Sequence, residues 1–393
     1  MVLGPGGSGV SAVAAAGALG RARTAHRAVP PLGRPDRHTL LITADRWSPT
    51  AEMLGVFSVP DEPVVVSSGL HLLTLDRLTA VESAWSAFTA VLGLGVRTSK
   101  SATAAVTALI GIDAAELTAL PGVEDFLLLR RIRDEATGGS WERIVVDLSG
   151  VADPYALLRA PTVFGQALER LWPRHRRLAA ASEKSASAQV GAALETIARD
   201  CDDITELLGD PSVIAVHLLA TPDARGARLM HRHLALADLM GLPVRSVIVN
   251  EGVRSGGGAE LPAVDDSDVT MVGVAASPLP LDRPARLRKL GVSLAEPDGR
   301  PRGSGAAHVV QTSADGLDST FELSWRQRLP DPQRFGLGRS GDDLLVTVDG
   351  FRHAVRLPSV LRRCQVSDAQ WDGTRLSVGF RPDPAVWPRG GRT

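Results

Sequence analysis

The sequence has little cysteine: Cys201 and Cys364 are its only two in 393 residues. They stand far apart with no metal-ligand spacing, which suits a reducing compartment and gives little reason to expect a disulfide. Net charge is nearly absent. The formal value of −1 offers no global electrostatic argument for nucleic acid or for an acidic membrane surface. Long hydrophobic runs are missing too. No stretch reaches the roughly 18 apolar residues that span a bilayer, so membrane insertion is not expected. The mildly apolar Met1–Gly20 segment does not read as a secretory signal, because its arginines follow the apolar part and four glycines crowd residues 4–9. The expectation is a soluble, cytoplasmic protein. What is present is ordinary for a globular chain: 44% hydrophobic and 22% charged residues, at a length that allows two or three domains.

Short β-rich runs alternate with helical stretches through the first three quarters. The runs are Thr39–Thr43, Val64–Ser67, Arg143–Asp147, Ser212–Leu219 and Arg245–Asn250. Each is apolar without alternation, which predicts strands buried on both faces of a parallel sheet. Helical patterns cover Val10–Arg23, Ala84–Leu92, Ala104–Leu109, Glu124–Glu135, Ala188–Leu208 and Gly226–Met240. The alternation predicts an α/β fold with a doubly wound, mostly parallel sheet over residues 1–295, with a charged helical insert at about 167–210. Residues 296–314 read as a Pro/Gly-rich linker open to protease. Beyond it the period changes to two, and Asp349-Gly350 and Asp372-Gly373 supply hairpin signals. Residues 315–384 therefore read as a small antiparallel β-sandwich, followed by a tail at 385–393.

The first chemical motif opens the chain: Val2-Leu3, then Gly4-Pro5-Gly6-Gly7-Ser8-Gly9-Val10-Ser11, then a helix. Three readings stay open on the loop alone. Gly4, Gly6 and Gly9 satisfy the dinucleotide fingerprint, the same glycines fit a phosphate loop without its lysine, and a tight turn needs no ligand. Successive backbone N–H groups at a helix N-terminus favour an anion in the first two. A dinucleotide site also wants an acidic residue about 20 positions on, and Asp45 lies considerably further.

Four more segments extend the pattern. They are Leu40-Leu41-Ile42-Thr43-Ala44-Asp45; Trp141 to Asp147 running on to Pro161; Thr221-Pro222-Asp223 with Gly241-Leu242-Pro243-Val244 and the strand ending at Asn250; and Ser277-Pro278-Leu279 leading to Leu290-Gly291. In this order they resemble the arsenical-pump-driving and tail-anchored-protein-targeting ATPase family, whose deviant phosphate loop the opening glycines match. The tail resembles the α-crystallin-like sandwich of actinobacterial members, through Gly341 to Val348, Leu357-Pro358, Leu361-Arg362-Arg363 and Asp372-Gly373. The resemblance implies ATP with magnesium as the ligand. Gly4, Gly6, Gly7, Ser8, Gly9, Val10 and Ser11 would form the phosphate loop, and Asn250 would bind the base. Ser11 and Asp147 would belong to the magnesium shell, and Asp45 would orient the attacking water.

The departures carry equal weight. Pro5 and Val10 replace the two lysines of the family loop, and proline also removes one N–H from the cradle. The resemblance then implies a non-hydrolysing, nucleotide-sensing or scaffold subunit. A weak ATPase coupled to a client protein or an anion transporter, and client binding by the β-sandwich, are the alternatives. Relatives pair through their phosphate loops, which implies a homodimer or a heterodimer with a family paralogue. Elsewhere, His231 and His233 lie two apart on a helix and are expected on a solvated face, not at a metal. Asp265, Asp266 and Asp268 read as loop solvation.

Overall fold

The computed structural model describes residues 1–27, 38–45, 47–98, 111–118, 120, 122–181, 186–253, 261, 264, 269–313 and 316–387. The helix expected at Ala104–Leu109 and the Asp265–Asp268 cluster lie outside the described residues. The chain divides into two compact units. The first holds Met1–Leu208, Asn250–Val253 and Val274–Leu294; the second holds Gly209–Val249, Arg254–Gly273 and Ala295–Thr393. Among the described residues the α/β strands pair mostly in parallel, as expected.

In the first unit the strands are β1 (Val2–Leu3), β2 (Thr39–Thr43), β3 (Val64–Ser67), β4 (Leu70–Thr74) and β5 (Arg143–Asp147), ordered β3-β4-β2-β5-β1. Thr43 pairs in register with both Thr74 and Asp147, and Asp147 pairs with Val2, so the chain leaves neighbouring strands at one end. Ligands of open α/β sheets bind at that end. Every residue of β2 is buried, the continuous apolar signature of a central parallel strand. β3 departs from the expectation of a strand buried on both faces: it is antiparallel to β4 and half exposed. Only Ser68 and Gly69 separate the two strands, and so short a connection permits a hairpin and forbids a parallel crossover. Gly69, at φ 81°, makes the turn.

The helices of this unit, in chain order, are α1 (Val10–Arg27), α2 (Thr50–Leu54), α3 (Arg77–Thr98), α4 (Ala114–Leu117), α5 (Val123–Thr137), α6 (Pro154–Leu171), α7 (Arg174–Ala181) and α8 (Ala186–Gly209). α1 is small-sided where it is buried, with Ala14, Ala15, Ala16 and Ala18 at most 3% exposed. Gly17 leaves the space that Leu294 fills. The insert is knit by Arg177, 3% exposed, which donates to Glu195 at 2.9 Å, Glu169 at 3.2 Å and the Trp172 carbonyl at 2.6 Å.

The second unit joins β6 (Val216–Ala220), α9 (Ala224–Met240) and β7 (Val244–Asn250) to two antiparallel sheets. β8 (Thr270–Val274) and, in the first unit, α10 (Pro284–Lys289) complete the α/β elements. Asp223 caps α9 by accepting from Gly226 N–H at 2.6 Å, and Gly241, at φ 68°, ends it. The sandwich strands are β9 (His308–Ser313), β10 (Thr320–Arg326), β11 (Phe335–Ser340), β12 (Asp343–Val348), β13 (Phe351–Arg356), β14 (Cys364–Trp371) and β15 (Arg375–Pro382), in sheets β14-β15-β10-β9 and β11-β12-β13. β10 alternates between buried and half-buried residues. Asp349 and Gly350, both at positive φ, form the hairpin turn read from the sequence. His233 is buried, not solvated.

The Pro/Gly-rich segment is bonded along its length. Arg245 donates to the Glu296 carbonyl at 3.1 Å and pairs with Asp298, which Arg302 also grips at 2.8 Å. Gly299 N–H reaches the Pro211 carbonyl, and Ser304 Oγ donates to the Leu239 carbonyl at 2.6 Å. Next to this strap a buried polar seam joins α9 to the end of β10. Asp238 accepts from Arg328 N–H at 3.0 Å and from Arg328 Nη1 at 2.7 Å. Gln327, wholly buried, donates to the Ala235 carbonyl at 2.9 Å and accepts from Trp325 Nε1 at 3.2 Å.

Two outcomes follow from this packing. Gly303, at φ 57°, lies where a Cβ would overlap the Asp238 backbone, so Gly303→Ala should lower the melting temperature and open Arg302 to trypsin. In the wild type Arg302 should resist cleavage until the unit unfolds. The second outcome concerns pH. Burial pushes the Asp238 carboxyl up to about 6, against the opposing pull of Arg328 and Arg326. A raised carboxyl favours folding in full below pH ~4 and loses that contribution as the pH rises through 6. Denaturant titrations should show wild type losing on the order of 2–3 kcal/mol relative to Asp238→Asn between pH 4 and 7. Asp238→Ala, which removes the acceptor of both Arg328 bonds, should cost roughly 3–5 kcal/mol.

Candidate functional site

β1 ends at Leu3 and α1 begins at Val10, so residues 4–9 form the turn between a buried strand and a buried helix. Ser8 N–H donates to the Pro5 carbonyl at 3.1 Å, which closes the loop. Gly7 and Gly9 sit at φ 81° and 89°, conformations that side chains oppose. A Cβ at Gly6 or Gly7 would meet nothing within 4 Å, so this side of the loop is open. A Cβ at Gly9 would strike the amide of Asn250. That amide donates to the Ser8 carbonyl at 2.8 Å and accepts from Gly252 N–H at 3.0 Å. Asn250 thus lies against the loop, held at both ends of its amide. Ser8 is 1% exposed, and its hydroxyl is buried without a hydrogen-bond partner among the described residues.

The hydroxyl at the start of α1 leads to a wider network. Ser11 Oγ donates to Ser149 Oγ at 2.8 Å and accepts from Ser48 Oγ at 3.3 Å. Ser48 and Thr50 share a 2.7 Å bond, and Thr50 Oγ1 reaches Asp147 Oδ2 at 3.4 Å. The other carboxylate oxygen of Asp147 accepts from Ser149 N–H at 2.9 Å. Asp147 has no solvent exposure. Burial raises its pKa, opposed by the hydrogen bonds from Ser149, Ser11 and Thr50. Asp45 stands beside this network. Its Oδ1 accepts from Trp47 N–H at 2.9 Å, and its carboxylate occupies the space left by Gly150, at φ 72°. The segments after β2 and β5 therefore touch through a carboxylate and a glycine.

The structure brings together Gly4–Ser11, Asp45, Asp147 and Asn250, all singled out from the sequence. It adds Ser48, Thr50 and Ser149. Ser149 had one local signal, its place two residues after an aspartate at a strand end, where the side chain caps the following N–H. Ser48 and Thr50 resemble any pair that starts a helix. Val10 is 4% exposed and belongs to the core, so it offers the open side of the loop nothing. Further along, Ala275 to Leu279 with Arg286, Lys289 and Leu290 line a cavity of about 130 Å³.

The residues fit a phosphate-bearing ligand in shape. The loop is open at Gly6 and Gly7, its N–H groups stand at a helix N-terminus, and among the described residues the Ser8 hydroxyl lacks a partner. In charge the fit is poorer, since residues 4–11 contain no lysine or arginine. Ser11 and Asp147 supply the hard oxygen atoms that magnesium prefers. Among the described residues no group of three or more His, Cys, Asp or Glu could hold a metal. Magnesium here would draw its remaining ligands from water and phosphate. No helix among the described residues is long and apolar enough to cross a membrane.

Comparison with known proteins bears on the chain as a whole. Residues 1–256 match the model of the anion-transporting ATPase family, and residues 318–380 match the HSP20-like domain found in that family. Protein Rv2184c of Mycobacterium tuberculosis is 32% identical, covering 99% of this chain and 97% of its own length. An uncharacterized protein of Streptomyces coelicolor, SCO2128, is 31% identical, covering 99% of each chain. A putative arsenical pump-driving ATPase of Chlorobaculum tepidum is 21% identical, covering 96% of this chain and 94% of its own. With the match running through the glycine loop and on past Asn250, the chain belongs to the anion-transporting ATPase family and carries that family's HSP20-like domain near its C-terminus.

Proposed function

We propose that this family member binds a nucleoside triphosphate with magnesium at the Gly4–Ser11 loop and does not turn it over at an enzymatic rate. It would serve as a nucleotide-sensing or scaffold subunit. One observation carries the reading: the two positions where the family has lysine hold Pro5 and a Val10 side chain committed to the core. Phosphoryl transfer rests on positioning and on neutralising the transferring group. By analogy with other electrostatic donors, each absent cation costs about 3 kcal/mol of barrier, roughly two orders of magnitude in rate. Binding survives that loss better than turnover does, because backbone N–H groups and magnesium still meet the phosphates.

A slow ATPase is the second reading. It is favoured by the intact contact between Asp45 and Gly150 and by the hydroxyl network around Asp147, parts that turnover needs and that mere binding does not. In either case the unit would pair with a second α/β unit of the family, its own or a paralogue's. Pairing would couple nucleotide occupancy to a conformational equilibrium without requiring hydrolysis.

Calorimetric titration with ATP should show binding that depends on magnesium and weakens at least tenfold in Ser11→Ala and in Asp147→Asn. Binding that ignores both variants would place the nucleotide elsewhere. Steady-state phosphate release should remain far below ~1 s⁻¹, the low end of common enzyme rates, and turnover at that rate would favour the second reading outright. A Pro5→Lys variant, which adds a cation without disturbing the core position of Val10, should bind ATP more tightly than wild type.

A further inference from the structure

Two histidines meet at the end of the first unit's sheet opposite the glycine loop. His38 immediately precedes β2, and His71 is the second residue of β4, in register with Leu40. Their ring centroids are 5.1 Å apart with planes at 90°. Trp141 packs on His71 at 5.0 Å and is itself anchored by donating to Glu135 Oε2 at 2.8 Å. The backbone of His38 is fixed by the bond from Glu142 N–H to its carbonyl at 3.1 Å. Both rings are therefore held by their surroundings.

Each ring has a buried Nδ1 with no hydrogen-bond partner among the described residues. Such atoms are uncommon in folded proteins, and each requires an explanation. Ring packing explains why the imidazoles are close, but it leaves an unserved nitrogen on each of two neighbouring rings. One electrophile shared between them would satisfy both. The spacing suits a metal ion. With metal–nitrogen bonds of about 2.0–2.1 Å and near-tetrahedral angles, two imidazoles on one ion have centroids roughly 5 Å apart.

We propose that His38 and His71 form a binding site for a borderline divalent cation of the zinc, nickel and copper(II) class, with water completing its coordination. Neutral imidazole selects such ions over magnesium, so this site and the Asp147 network would not compete for one metal. With only two protein ligands the affinity is modest, and the ion would exchange with solvent.

The test uses tag-free, full-length protein titrated with zinc chloride by calorimetry. Saturable binding of one zinc ion is expected at pH 7.5, with a zinc-dependent rise in melting temperature that a chelator reverses. His38→Gln and His71→Gln should each weaken binding at least tenfold, while the exposed His231→Gln should leave it unchanged. Copper(II) should quench the fluorescence of Trp141, and Trp141→Phe should remove that part of the quenching. Zinc binding that both glutamine variants retain would overturn the proposal. So would the absence of any zinc-dependent melting shift in the wild type, which decides the matter even if the variants fail to fold. Nucleotide plays no part in these readouts, so their failure would leave the proposed function standing.

Discussion

Asp147 places a carboxylate at the end of β5 with no access to solvent, and much of the polar geometry of the first unit answers to it. A buried carboxylate without partners is costly enough to shift its pKa or reorganise its surroundings. Here the partners are one N–H and a run of hydroxyls. The parallel register of β2, β4 and β5 ends Thr43, Thr74 and Asp147 side by side, so the segments that follow converge. Ser149 turns back onto Asp147, Thr50 approaches its other oxygen, and Ser48 ties Thr50 to Ser11 at the mouth of the glycine loop. The contact between Asp45 and Gly150 then joins the same two segments a second time. A ligand that moved Ser11 would disturb a connected set of groups, which is the physical requirement for reading its presence.

The second unit applies the same logic to another carboxylate. Asp238 is buried on α9, and Arg328 meets it with both a backbone N–H and a guanidinium. Desolvation still outweighs the pairing, since the carboxyl is raised and not lowered. That balance is common for buried pairs, whose worth lies more in fixing one arrangement than in adding stability. The arrangement fixed here is that of β10 on α9. Gln327 bridges the Ala235 carbonyl and Trp325, and Trp371 Nε1 closes the seam on the Gln327 carbonyl at 2.8 Å. The HSP20-like domain is thus bonded to a helix of the α/β fold within one compact unit.

Where the chain spells out its own backbone state, the sequence is readable. β2, β3 and β5 fall at the expected residues because each is an apolar, β-branched run between breakers. The Asp349-Gly350 turn follows from the two positive φ values it needs. β4 escaped because His71 interrupts its apolar run and Ser68-Gly69 merges it with β3. In the segment after Glu296 composition leaves out what one glycine and several charges do: Gly303 serves close approach and Asp298 and Arg302 serve pairing. Gly303 against the Asp238 backbone is the clearest case. At the site, Ser11, Asp45, Asp147 and Asn250 were legible through the order of family motifs. Ser48, Thr50 and Ser149 were not, since a hydroxyl carries no signature until the fold brings another one to it.

The absence of lysine changes what must neutralise a bound phosphate. A helix N-terminus supplies about half an elementary charge, and α1 begins directly at the loop. Against the several negative charges of a nucleoside triphosphate this is a small offset, and Pro5 withholds one N–H from it. Magnesium would therefore carry a larger share of the charge balance here than in a relative with both lysines. Its ligands would be the Ser11 hydroxyl and the Asp147 side of the network. The ion sought by the phosphates is then the same ion that would engage the hydroxyls linking the segments after β2 and β5. In a lysine-bearing loop phosphate recognition can be local. In this loop it would pass through magnesium to Ser11, and from Ser11 to Ser48 and Ser149, so that binding and the state of both segments would become one event.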